Sequence, residues 1–251
     1  MASGYALAGE RLIHNHRNMD FGMTSHFGMI STVLDLVKWD AALRERKLLR
    51  SASYDLMWTP VSLKDGLRAL GPAGAYGFGW FLDTFRGHRL IFHGGATGTA
   101  ILRLPDDGLT VIVLTNLELL AGGNAPGIAR DIAAMFIPRI DWSQLKESPD
   151  PDPKLTARLR EELGNLAAGK PDFSLYTPQV AAEMRKQIEA TKATYSQLGK
   201  IEQLAFCESE MDGASRSVYY KLKCEAVPKG FFIRYTFNEK GEIAYALSST
   251  Q

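Results

Sequence analysis

The sequence predicts an α+β protein of two units: a partial antiparallel sheet flanked by helices over residues 1–146, and a smaller unit of two helices and an antiparallel meander over residues 154–251. Three observations carry this. Val111-Ile112-Val113-Leu114 is apolar at every position, so its strand is covered on both faces and helices lie on each side of the sheet. Residues 147–153, Glu-Ser-Pro-Asp-Pro-Asp-Pro, alternate proline with acid, which continues neither a helix nor a central strand and reads as a stiff linker. Beyond it, two helical stripes precede four strand-like runs, the order of an α+β unit.

Taken in order, residues 1–28 are irregular, rich in Gly, His and Asn. A helix starts at Ser31-Thr32. Thr32 offers a capping hydroxyl, and Asp35 puts an acid near the positive end of the helix dipole. Val33, Leu36, Val37 and Ala41 recur at helical spacing and form the expected buried face. A second short helix near 51–58 ends at Trp58-Thr59-Pro60. Strands follow at 88–93, 99–104 and 109–116, the last two joined by the turn residues Pro105-Asp106-Asp107-Gly108. A helix near 124–137 covers one face of the sheet.

In the second unit, Asp152 with Pro153 starts a helix striped by Leu155, Leu159, Leu163 and Leu166. Thr177 with Pro178 starts another, striped by Val180, Met184, Ile188, Tyr195 and Leu198 and stopped at Gly199. Strand-like runs at 201–210, 216–226, 230–238 and 242–248 are separated by Asp212-Gly213, Pro228-Lys229-Gly230 and Lys240-Gly241. A tight turn at Asp212-Gly213 pairs Cys207 with Val218. Cys207 and Cys224 then do not face each other, and both are expected as free thiols.

Composition narrows the function classes. Lys plus Arg number 29 against 28 Asp plus Glu, a net charge of +1, with no basic stripe to displace counterions from phosphate, so no nucleic-acid partner is expected. No apolar run approaches the roughly 18 residues of a membrane helix, so no membrane partner is expected. Met1-Ala2-Ser3-Gly4-Tyr5 carries neither a basic nor an apolar signal segment, and the compartment stays open. His14-Asn15-His16 with Asp20 reads as a solvated loop, so neither a metal nor a cofactor is expected.

Four segments, in order, resemble the β-lactamase-related serine hydrolases, the family of β-lactamases and penicillin-binding proteins. They are Phe27-Gly28-Met29-Ile30-Ser31-Thr32 leading into Asp35-Leu36, Tyr76-Gly77-Phe78-Gly79-Trp80, His93-Gly94-Gly95-Ala96-Thr97-Gly98, and Val111-Ile112-Val113-Leu114-Thr115-Asn116. Tyr5-Ala6-Leu7 resembles the family's substrate-side loop. The family places a Lys/His-x-Gly box on the strand edging its active site, and here the box is His93-Gly94-Gly95. The resemblance implies catalytic roles for His93, Gly95 and Ala96. Glycine lets the backbone approach an acyl carbonyl, the Ala96 N–H serves as an oxyanion donor, and His93 bonds to substrate or moves protons. The competing reading is that Gly94 and Gly95 merely bend the chain between two strands.

The sequence departs from the family in two motifs. The S-x-x-K nucleophile motif and the Tyr- or Ser-x-Asn motif precede the Ser31-Thr32 helix in the family and are expected to be missing here. Ser143-Gln144-Leu145-Lys146 matches S-x-x-K, but it follows the box and adjoins the linker, so it reads as chance. The C-terminal unit resembles, more loosely, NTF2-like or cystatin-like domains. Its aromatics Tyr219, Tyr220, Phe231, Phe232, Tyr235 and Phe237 either line a pocket or fill the core.

Two functions follow from the resemblance. One is the C-terminal portion of a serine hydrolase acting on an ester, lactam or D-alanyl peptide, inactive until a missing half completes it. The other is a non-catalytic binding or regulatory pseudoenzyme acting through the NTF2-like domain. The expected partners are a small acyl substrate and, at strand 109–116, either a second copy or an N-terminal fragment. That strand carries no proline and no charged residue to protect its edge.

Overall fold

The computed structural model describes residues 3–15, 29–61, 70–71, 74–118 and 123–249. The chain forms two compact units, Met1–Asp141 and Trp142–Gln251.

The first unit opens with the hairpin β1 (Tyr5–Ala8) and β2 (Arg11–His14), turned at Gly9 with φ of +63°. Helix α1 (Val33–Arg44) is capped by Thr32, whose hydroxyl oxygen accepts from the Asp35 N–H. The Asp35 carboxylate accepts in turn from Lys38 and the Thr32 hydroxyl, which together hold it below the usual carboxylate range. The buried face of α1 differs from the expected stripe. Val33 and Val37 are exposed, Leu36 and Ala41 half-buried, and the buried positions are Asp40 and Leu43. An ion pair to the sheet draws Asp40 inward and turns the helix on its axis. Helix α2 (Ser51–Met57) follows and buries Tyr54.

Six strands then run in chain order: β3 (Leu70–Gly71), β4 (Gly74–Tyr76), β5 (Phe81–Phe85), β6 (His88–Gly95), β7 (Thr99–Leu104) and β8 (Leu109–Leu114). Each is antiparallel to its predecessor, so the sheet is a meander with β8 at one edge. Register places Leu82, Ile91 and Ile101 on the face where Leu43 of α1 and Tyr54 of α2 pack. The opposite face receives α3 (Ala125–Phe136), capped by Asn124. Its buried Ala125, Ala129 and Ala133 have no bulk to hold it off, and it sets Arg130 over the Phe85 ring. Helices on both sides explain why Val111–Leu114 of β8 is apolar at every position. Asp40 and Arg103 bond at 2.6 Å with both side chains buried, and Thr110 donates to the same carboxylate oxygen.

The second unit begins at a 3-10 turn, Trp142–Gln144, whose Trp142 ring packs on Tyr219 and Phe232. The proline-rich segment is tied to the sheet of this unit: the Ser148 N–H donates to Phe206 and its hydroxyl to Cys207. Helix α4 (Pro153–Ala168) is capped by Asp152 and ends at Gly169 with φ of +71°. Leu159, Leu163 and Leu166 of its stripe are buried. The single helix expected from Thr177 to Gly199 is two, α5 (Pro178–Lys186) and α6 (Ile188–Ser196). Gln187 breaks it: its N–H closes α5 on Met184 while its carbonyl accepts from Thr191.

Strands β9 (Ile201–Asp212), β10 (Ser215–Cys224), β11 (Val227–Phe237) and β12 (Ile243–Ser248) form an antiparallel meander against these helices. Two turns fall elsewhere than expected. The first loop is Gly213-Ala214, with Gly213 at φ of +57°, so Val218 pairs with Ser209 and not with Cys207. Cys207 is instead the extra residue of a bulge, between Glu208 opposite Tyr219 and Phe206 opposite Tyr220. The second loop is Glu225-Ala226, and Pro228-Lys229-Gly230 lies inside β11 as a bulge between the pairs Cys224–Val227 and Leu222–Phe231. Both cysteines are free and buried. Tyr220, Tyr235 and Phe237 are buried in the core against α4 and its neighbours. One acid enters that interior: Glu162 accepts from the Tyr176 hydroxyl at 2.8 Å and from the Asp172 N–H at 2.9 Å.

Candidate functional site

The residues expected at the site lie at the β6–β7 turn. His93 and Gly95 close β6, Ala96 opens the turn, and Gly98 leads into β7. The turn is tight: the Gly98 N–H donates to the Gly95 carbonyl at 3.0 Å. Space demands glycine at Gly98, where the close atom is backbone, whereas at Gly95 it is a side-chain hydroxyl that can rotate away. A Cβ on Gly95 would lie 2.2 Å from Thr99 Oγ1, and one on Gly98 (φ of +82°) would lie 2.0 Å from the Leu117 carbonyl oxygen. Gly94 has room for a methyl group, since the nearest atoms would be 3.6 Å away. Ala96 is exposed, and its N–H donates to no backbone group among the described residues. Beside glycines and without a backbone partner among the described residues, this amide presents backbone where an acyl oxygen can approach it.

The imidazole of His93 is held at both nitrogens. Nδ1 lies 2.7 Å from the Gly94 carbonyl oxygen, and Nε2 lies 3.1 Å from the Tyr76 hydroxyl. Phe81 stacks on the ring with centroids 4.8 Å apart. Strands β4, β5 and β6 thus each contribute one ring. Tyr76-Gly77-Phe78-Gly79-Trp80 forms the turn behind this cluster. The Gly77 N–H donates to Trp80, and Phe78 donates to Met57 of α2. A Cβ on Gly77 would meet the Met57 carbonyl oxygen at 2.3 Å, which fixes glycine there.

Tyr5, in the segment likened to a substrate-side loop, lies beside the chain leaving β8. It donates to the Asn116 carbonyl at 2.7 Å and accepts from the Glu118 N–H at 2.8 Å. Phe27 and Gly28 of the first quoted segment lie outside the described residues, as do His16 and Asp20. Among the described residues no group of His, Cys, Asp and Glu is arranged to hold a metal. Ser143 and Lys146 belong to the second unit and not to the unit that carries His93.

The role of Tyr76 was not legible in the sequence. Its segment carried the resemblance, but its bond to His93 depends on the pairing of three strands, which no local spacing reports.

An antiparallel sheet with helices on both faces and a His-Gly-Gly strand end defines a β-lactamase-related serine hydrolase fold. The Beta-lactamase family model matches residues 1–134, more than half of the chain, and the chain belongs to that family. No curated protein and no solved structure matches it.

Proposed function

We propose that the first unit carries the His-Gly-Gly half of an acyl-transfer site for an ester, lactam or D-alanyl peptide. The observation that supports this best is the exposed Ala96 N–H, which has no backbone partner among the described residues and follows a glycine at which a Cβ would crowd the Thr99 hydroxyl. In this reading the amide receives the acyl oxygen, Gly95 admits the substrate backbone, and His93 bonds to substrate or moves a proton. The nucleophilic Ser and its Lys come from a polypeptide segment other than this one, which adds a strand to β8, and the chain alone does not turn over. That edge is open in the described residues, since β8 pairs only with β7. Both flanking helices expose apolar side chains, Leu34 and Val37 on α1 and Met135 and Phe136 on α3.

The test is a titration of isotopically labelled protein with N-acetyl-D-alanine, whose carboxylate stands in for the acyl oxygen, alongside assays with a chromogenic cephalosporin and a p-nitrophenyl ester. The expected outcome is shifts at the Gly95 and Ala96 amides, weakened by His93→Ala, with no turnover. Unmoved amides at 93–96 would overturn the reading. Turnover that survives His93→Ala would place the site elsewhere, and turnover abolished by Ser143→Ala would assign it to that serine.

A second reading places the function in an NTF2-like C-terminal unit. The observation in its favour is a groove of about 740 Å³ in that unit, between Thr156, Arg160 and Gly164 of α4 and Lys200, Ile201 and Leu204 at the start of β9.

A further inference from the structure

Tyr76 offers the site a function that the box residues alone do not. A carbonyl oxygen only accepts, so the 2.7 Å contact to Gly94 requires the proton of a neutral His93 ring to sit on Nδ1. Nε2 then carries the lone pair and only accepts. The donor in the 3.1 Å contact is therefore the Tyr76 hydroxyl, and the bond has one direction. Phe81 fixes the ring plane by stacking on it and also meets Tyr76 edge-on at 4.9 Å, so neither partner is free to swing away alone.

Resting on the acyl-transfer reading above, we propose that Tyr76 is a positioning residue for His93: with the Nδ1–H tautomer fixed by the Gly94 carbonyl, its hydroxyl keeps the Nε2 lone pair engaged until substrate arrives. Tyr76 is half-buried, and a hydroxyl that donates to Nε2 keeps its oxygen as an acceptor for a substrate O–H or N–H. A proton delivered there passes to Nε2 as the phenol regains one from the donor. The phenol ends neutral, the imidazole is protonated, and the donor is left as its conjugate base. No other reactant is needed.

The measurement is a long-range proton–nitrogen correlation spectrum of the full chain, with histidine labelled, in mildly alkaline buffer where imidazole is neutral. Wild-type His93 should show protonated Nδ1 and a hydrogen-bonded, unprotonated Nε2. Tyr76→Phe keeps the ring and its packing but removes the hydroxyl. It should shift the Nε2 resonance toward that of a nitrogen without a hydrogen bond while the proton stays on Nδ1, held by the Gly94 carbonyl. His93 protonated at Nε2 in the wild type, or nitrogen resonances unmoved in Tyr76→Phe, would overturn the proposal. If the variant does not fold, the wild-type spectrum decides alone, and an unprotonated Nε2 resonating as a nitrogen without a hydrogen bond overturns the proposal equally. None of these signals needs turnover or ligand, so the proposal and the acyl-transfer reading can fail separately.

Discussion

Arg103 on β7 donates from Nε to the Asp40 carboxylate on α1 across 2.6 Å, and neither side chain reaches solvent. The guanidinium also lies over the Trp58 ring, 5.2 Å from its centroid, and over Trp80 at 5.9 Å. This ties the helix, the turn after α2 and the sheet through one side chain. Removing Asp40 strands the Arg103 charge in the interior, which typically costs about 3–5 kcal/mol, whereas removing Arg103 leaves Asp40 with Thr110 and with Arg44 at 3.7 Å, and replacing both with apolar groups is often close to neutral. Asp40→Leu should therefore destabilise the first unit by about 3–5 kcal/mol, and adding Arg103→Met should recover most of it. Urea unfolding followed by tryptophan fluorescence reports it, since Trp39, Trp58 and Trp80 all lie in this unit. A single variant as stable as wild type would contradict the account.

Burial pushes the Cys207 thiol from its ordinary 9.0 up to about 11. The thiolate is the reactive form, so at neutral pH native Cys207 should alkylate far more slowly than the same cysteine in urea. The sign for stability follows. Between those two values the folded state retains a proton that the unfolded state releases, so this residue's contribution falls as pH rises through that window. Rapid iodoacetamide labelling of the native protein at neutral pH would show the thiol to be accessible after all.

The open edge of β8 predicts self-association or capture of another strand. Val113→Lys puts a charge into an edge that has none and should shift sedimentation toward monomer. A wild-type chain that sediments as a clean monomer at tens of micromolar would remove the basis for a strand docking there.

Much of this fold was legible because its signals are local. Thr32, Asp152 and Thr177 each cap the helix they precede, and Leu159, Leu163 and Leu166 face inward as their spacing requires. What stayed hidden depends on distant partners. The periodicity of α1 suggested a face containing Val33 and Val37. It could not report that Arg103, remote in the chain, would bury Asp40 instead. At the site, His93 and its glycines stand out as a motif, whereas Tyr76 meets His93 only once β4, β5 and β6 are paired.

The bulge at Cys207 has a consequence for how this chain tolerates changes in length. Phe206 opposes Tyr220 and Glu208 opposes Tyr219, so the residue between them has no partner of its own. Deleting Cys207 would join two stretches that are already in step, leaving Leu204 and Phe206 turned toward the helices and relaxing the local twist. A deletion one turn of the pleat away, at Ala205, would instead send Leu204 to the opposite face and empty its place in the core. Glu202, skipped between the pairs Gln203–Lys223 and Ile201–Cys224, is a second such position. Strand β9 is thus longer than its partner requires, and this slack sits at two known places where the chain can be shortened without loss of register.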